Sequence, residues 1–290
     1  MRNRTLLSAF LLAVSSSWAL AADPTFKVAT LKVMPITGNK AANFATFERL
    51  AREAAARGAN LVVTPEGYLD GYMGNPKFVP GMTREKLPSV AERIDGPWLK
   101  KAAALAGELK MYVLFGFSEL REGKVFNTIA IFGPDGSLAG RYSKSHIGGG
   151  ELYEAGNELP VFDTKLGKMG VLICFDRQPP ESARTLTLRG AQFIIVPAYG
   201  TKSTPIDEDV LMQARAHENG VYVIYTSPYN AFVANPVGEI ISQERNQTDG
   251  LLFADVVLDG RIHDRGAFRR RRPELYGELL APAARMPKSP

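Results

Sequence analysis

The sequence predicts an α/β fold in which helices cover a mixed β-sheet. Short apolar runs of strand length alternate with stretches of about 10 to 15 residues whose apolar positions recur at helical spacing. Two of the strand-like runs flank a tight turn, so part of the sheet is antiparallel rather than purely parallel.

Taken in order, Phe26 to Val33 reads as a strand with Lys27, Thr30 and Lys32 set among apolar residues. Phe44, Phe47, Leu50, Ala51 and Ala54 fall on one helical face, and Gly58 marks where that helix stops. Leu61 to Val63 is a short buried strand that runs straight into Thr64-Pro65-Glu66. Pro97 to Leu109 is helical and Met111 to Phe117 a strand. Val125 to Phe132 and Leu138 to Tyr142 flank Pro134-Asp135-Gly136 as a hairpin. Met169 to Cys174, Phe193 to Val196 and Val221 to Thr226 are strands, separated by helices over Pro180 to Arg189 and Asp207 to Asn219. Gly238 to Ile241 and Leu251 to Val257 close the β content. With no repeat, low-complexity tract or Gly/Pro/Ser-rich linker, residues 22–290 read as a single domain.

Residues 1–21 are a separate matter. Arg2 and Arg4 give a basic start, Leu6 to Val14 an apolar run, and Ala19-Leu20-Ala21 a small-x-small cleavage signal: the three parts of a secretory signal peptide. The apolar run is shorter than the roughly 20 residues a membrane-spanning helix needs, and no later stretch supplies them. Cleavage after Ala21 removes two arginines and no acid, so the formal net charge falls from +5 to +3. An exported, periplasmic or secreted protein is therefore expected. At 290 residues, 45% hydrophobic and 22% charged, the chain buries a core without disulfide or metal staples. Arg269 to Arg272, next to Arg265, form the one dense basic run. No helix-turn-helix, zinc or RNA-binding pattern accompanies it, so nucleic-acid binding is not expected.

Cys174 is the only cysteine, so no intramolecular disulfide is possible. A lone cysteine is usually a core residue. Here it ends the apolar run Val171-Leu172-Ile173 and is followed at once by Phe175-Asp176-Arg177, a polar rim better suited to a cleft. A thiol nucleophile needs a base. His146, His217 and His263 stand in no cysteine-protease context and offer no zinc site. Glu66 follows a buried strand and a proline, where an α/β sheet presents its functional loops, although alone it reads as an ordinary loop acid. Lys144, just past the hairpin, reads alone as a surface residue. Buried beside a tetrahedral intermediate it would stabilise the oxyanion and help keep the thiol deprotonated.

Together the three say more. Thr64-Pro65-Glu66-Gly67 with Gly71-Tyr72 resembles the glutamate motif of the nitrilase superfamily of carbon–nitrogen hydrolases. Tyr142-Ser143-Lys144-Ser145-His146 resembles its lysine motif, and Gly170-Val171-Leu172-Ile173-Cys174-Phe175-Asp176 with Pro180-Glu181 its cysteine motif. The spacings of 78 (144 − 66) and 30 (174 − 144) residues fit. So do Gly156-Asn157-Glu158, Arg215-Ala216, Pro236-Val237-Gly238-Glu239 and Arg271-Arg272-Pro273-Glu274-Leu275-Tyr276.

The resemblance implies an α-β-β-α sandwich that pairs with a second copy, and a Glu66–Lys144–Cys174 triad that cleaves a small amide through a thioester without metal or organic cofactor. It also implies a second acid that holds Lys144 and orients the substrate. Glu151 fits, with Glu154 as competitor, although Gly148-Gly149-Gly150 departs from the bulkier loop usual there. Cys174-Phe175-Asp176, in place of the Cys-Trp-Glu typical of true nitrilases, resembles the amidase and carbamoylase branches. Arg177 stands where some carbamoylases grip a substrate carboxylate, or else forms a surface salt bridge. Tyr72, Phe175 and Tyr199 are candidate pocket walls, or core. The rival readings are nitrile hydrolysis, acyl transfer by the same triad, and an inactive extracytoplasmic binding protein.

Processing is directly measurable. N-terminal sequencing of protein from the extracytoplasmic fraction should begin at Ala22 or within a residue or two; intact Met1 chains confined to the cytoplasm would exclude export.

Overall fold

The computed structural model describes residues 25–200, 206–245, 249–259, 262–264 and 266–280. The expected signal peptide and Arg265 lie outside the described residues. Thr25–Lys32 forms β1, Lys40–Ala56 α1, Leu61–Val63 β2, Pro97–Leu109 α2, Tyr112–Arg121 β3, Lys124–Phe132 β4 and Leu138–Ser143 β5. The chain continues with Val161–Thr164 as β6, Gly167–Val171 as β7, Pro180–Leu188 as α3 and Phe193–Pro197 as β8. Then come Leu211–Asn219 as α4, Tyr222–Thr226 as β9, Asn230–Ala234 as β10, Ile240–Arg245 as β11 and Gly250–Val257 as β12.

These strands make two six-stranded sheets, ordered β12-β1-β2-β3-β4-β5 and β11-β10-β9-β8-β7-β6. Each is mixed. β1, β2 and β3 run parallel in the first, and β7, β8 and β9 in the second, with antiparallel pairing outside them. The inner strands β2, β8 and β9 are buried at every residue, as parallel strands covered on both faces must be. Between the sheets, Val28, Leu61, Val63 and Leu114 meet Val171, Ile173, Phe193 and Ile195. α1 and α2 close the outer face of the first sheet with Phe44, Phe47, Leu50 and Leu99. α3 and α4 close that of the second with Leu186, Met212 and Ala216.

The layers are therefore α-β-β-α, as the resemblance implied. Periodicity alone suggested one mixed sheet, because it says which segments are strands and not which of them pair.

The expected hairpin is present, with Thr128 opposite Ser143 and Ile131 opposite Gly140. A second, unexpected one joins β3 to β4 through Glu122 (φ 51°) and Gly123 (φ 77°), both in the left-handed region a two-residue turn of this hand requires. β6 and β10 were not expected at all. The strand expected to reach Cys174 ends at Val171; the chain then turns, and Cys174–Arg177 form a short 3-10 helix. α4 is preceded by a π-helical turn, Ile206–Val210. There Glu208 faces inward, accepting from Tyr225 Oη at 3.0 Å and Asn230 Nδ2 at 2.8 Å. Among the described residues, no helix is long and apolar enough to cross a membrane.

Glu66 lies three residues beyond β2, Lys144 one beyond β5, Cys174 three beyond β7 and Tyr199 two beyond β8. Each therefore follows the end of a strand at the seam between the two sheets. Gly116 of β3 passes beneath the turn carrying Glu66. A Cβ there would stand 2.5 Å from the Pro65 carbonyl oxygen, so glycine is what allows that turn to lie against the sheet.

Candidate active site

Lys144 is wholly buried, and its Nζ donates to Glu66 Oε1 at 2.9 Å and Glu151 Oε1 at 2.8 Å. Glu66 is wholly buried too. Its Oε1 also accepts from Asn127 Nδ2 at 2.7 Å, and its Oε2 accepts the backbone N–H of Tyr199 at 2.8 Å. A buried carboxylate and ammonium persist only when their hydrogen bonds are met, and these contacts meet them from both sheets. The backbone reinforces the arrangement, with Lys144 N donating to the Asn127 carbonyl at 2.8 Å.

Glu154, the competing second acid, lies elsewhere: it is partly exposed and paired with Arg84 at 3.0 Å. Glu151 is the acid that reaches Lys144, and its Oε2 is buried without a hydrogen-bond partner.

Cys174 faces a cavity of about 250 Å³ walled by Glu66, Tyr72, Phe78, Glu151, Arg177 and Tyr199, which is at the small end for a ligand pocket. Phe175, about half exposed, stands at its edge. The Tyr72 and Tyr199 ring centroids are 4.8 Å apart, and Phe78 lies 5.0 Å from Tyr199. The three rings make one aromatic side of the cavity. Arg177 is not a surface residue. It is buried, with Nη1 3.4 Å from Cys174 Sγ, beside the nucleophile rather than at the surface.

The charges act on one another. Burial pushes the Cys174 thiol up to about 11, and Glu66 adds to it. Lys144 and Arg177 pull the other way and are outweighed. The balance leaves the group a thiol near neutral pH, with Lys144 pulling toward the thiolate without outweighing burial. Burial alone would lower the Lys144 ammonium, but Glu66, Cys174 and Glu151 outweigh it and hold the amine protonated. Burial and then Glu66 push Glu151 up, against Lys144.

Sequence reasoning missed Asn127, Phe78, Asp176 and the Tyr199 amide. Asn127 had a signal, an amide inside the apolar run of β4. The Tyr199 contact is made by backbone and had none.

The profile of the family described as carbon-nitrogen hydrolase matches residues 27–263. The chain belongs to that family. This carbon–nitrogen hydrolase is 31% identical over 275 residues to the N-carbamoylputrescine amidase of Arabidopsis thaliana, covering 82% of this chain and 90% of the relative. It is 30% identical over 279 residues to an omega-amidase of Bos taurus, covering 87% and 97%. A crystal structure of an amidase from Nesterenkonia sp. superposes with a TM-score of 0.74 at 20% identity, over 92% of this chain and all of that one (100%). That likeness shows the shared fold.

The state of the thiol can be titrated. The ultraviolet thiolate absorbance that distinguishes wild type from Cys174→Ser should be absent near about pH 8, where an ordinary thiol is already ionising. Because the folded value is raised, it should appear only as pH climbs toward about 11. A signal complete near neutral pH would show that Lys144 and Arg177 outweigh burial.

Proposed function

We propose that this hydrolase cleaves a small linear amide or N-carbamoyl compound through a thioester on Cys174. The observation that carries the reading is the buried Lys144 ammonium forked between Glu66 and Glu151, the two acids that line the cavity holding the only thiol of the chain. Glu66 is the base. Its Oε1 is occupied by Asn127 and Lys144, whereas Oε2 accepts one backbone N–H and keeps a lone pair for a proton.

Cys174 attacks the amide carbon as its proton passes to Glu66. The carbonyl oxygen becomes an oxyanion, held by Lys144 and by the Phe175 N–H at the start of the 3-10 helix. Glu66 returns the proton to the nitrogen, the C–N bond breaks, and ammonia or an amine leaves a thioester behind. Water then gives a proton to Glu66 and its oxygen to the acyl carbon. The C–S bond breaks, the sulfur regains a proton, and the acid departs. Glu151 holds Lys144 and offers its unpartnered Oε2 to the substrate N–H groups.

Two relatives named as amidases support amide over nitrile cleavage, as does Cys174-Phe175-Asp176 in place of Cys-Trp-Glu. The small cavity supports a small substrate, with Tyr72, Phe175 and Tyr199 as its walls. We assign Arg177, beside the sulfur, to a substrate carboxylate, which a planar guanidinium suits.

We also infer export, supported by the basic, apolar and small-x-small start. Self-association into a dimer or larger even assembly is supported by the exposed apolar residues Leu188, Leu275, Leu279 and Leu280, which a second copy would cover. Light scattering showing only monomer would exclude it.

Cys174→Ala should abolish turnover with the fold intact, and quenched wild type should carry an acyl adduct on Cys174. Glu66→Gln should be nearly as damaging, because one group serves three proton transfers. Lys144→Ala should cost more than the roughly 10²- to 10³-fold typical of one oxyanion donor, since it also strands two buried carboxylates. Ammonia release across ω-amides, N-carbamoyl amino acids, aliphatic amides and nitriles identifies the substrate class. Substantial hydrolysis by Cys174→Ala would end the thioester reading.

A further inference from the structure

Asp176 is wholly buried, takes no part in the proposed chemistry, and gathers more hydrogen bonds than any catalytic group. Its Oδ2 accepts Ile173 N–H at 3.0 Å and Tyr142 Oη–H at 2.7 Å. Its Oδ1 accepts His146 N–H at 2.7 Å, Ser145 Oγ–H at 3.0 Å and Ser145 N–H at 3.2 Å, and lies 2.9 Å from His146 Nδ1. The Asp176 contact holds the His146 imidazole above its ordinary range, as an ionised partner does.

The placement of these bonds matters more than their number. Ile173 immediately precedes the nucleophile. Tyr142 and Ser145-His146 bracket Lys144 in the chain. Cys174 has φ 47°, a region that a non-glycine residue keeps only when its surroundings over-determine it. One carboxylate thus pins the turn that forces Cys174 out of the strand, and pins both sides of the segment carrying the lysine, 30 positions earlier (174 − 144). An asparagine has the same shape, but its amide nitrogen would face donors that already point at it, so one cluster would have to let go.

We propose that Asp176 is a positioning residue that locks the nucleophile turn onto the lysine segment and so sets where the Cys174 sulfur stands relative to the Lys144 ammonium. This rests on Cys174 and Lys144 acting as proposed above. A purely structural carboxylate would, on removal, lower the folded fraction and leave each folded molecule working normally. A positioning carboxylate changes what the folded molecule does.

The test is Asp176→Asn in the full chain, with active sites titrated by acyl adduct on Cys174 and thermal midpoints recorded alongside. We expect kcat per titrated site to fall by about 10- to 100-fold, the scale set by misplacing reacting groups by around an ångström, with KM little changed. The adduct still forms on Cys174, but more slowly. Tyr142→Phe removes one donor and leaves the carboxylate and the Ile173 bond. It should give a smaller loss in kcat, about three- to tenfold, the scale of the net contribution of a single hydrogen bond. Full kcat per titrated site in a folded Asp176→Asn protein would overturn the proposal. If that variant does not fold, wild-type kcat in both Tyr142→Phe and Ser145→Ala overturns it equally. Neither outcome touches the thioester, which stands or falls with Cys174→Ala.

Discussion

A full ammonium and two carboxylates are held out of water at the seam between two sheets, and most of the local architecture answers to that. Removing each ion from water costs several kcal/mol even after relaxation, and mutual attraction offsets this only when every remaining donor and acceptor is met. Glu66 shows how. Asn127 and Lys144 come to it from the first sheet, and the Tyr199 amide from the second. No single sheet could supply all three, so the cluster exists only where the strand ends of both meet. Gly116 belongs to the same requirement, since a side chain there would lift the Glu66 turn away from its partners.

The nucleophile is set by a different local conflict. The apolar run from Val171 invites the strand to continue, and backbone periodicity alone would carry it to Cys174. The Asp176 side chain takes the Ile173 N–H instead, and the chain breaks into a 3-10 turn with Cys174 in a left-handed conformation. A residue at the end of a straight strand would point its side chain into one face or the other. At the turn, the thiol faces the cavity beside Arg177 and within the field of Lys144.

How much of this was legible divides along physical lines. Strands and helices with strong periodicity, such as β2, α1 and α2, stood where the apolar pattern placed them. β6 and β10 were missed, being five residues or fewer, with the acidic Asp163 in one and Asn230 opening the other. Glu66, Lys144 and Cys174 were legible because each sits in a run of several distinctive neighbours. Asn127 and the Tyr199 amide were not, because the first is one polar residue in an apolar strand and the second is backbone. Glu151 and Glu154, three residues apart, could not be separated by spacing. Only the fold shows that one reaches Lys144 while the other pairs with Arg84.

The resting thiol follows from the same charge balance. Glu66 and Glu151 already share one ammonium, and burial with Glu66 pushes Glu151 up. A thiolate would add another negative charge to a site with little water to screen it, and the rise of the thiol to about 11 expresses that cost. On the proposed mechanism the difficulty resolves itself only when substrate is present. Moving the thiol proton to Glu66 removes one negative charge as attack creates another on the carbonyl oxygen, so the net charge around Lys144 does not change. The ammonium then faces an oxyanion in place of the carboxylate it paired with at rest, with no solvent reorganisation required. Under the proposed export, the same economy would favour a lone cysteine. Thiolates, not thiols, are the readily oxidised form, so a lone cysteine that stays protonated until an amide arrives is suited to an oxidising compartment.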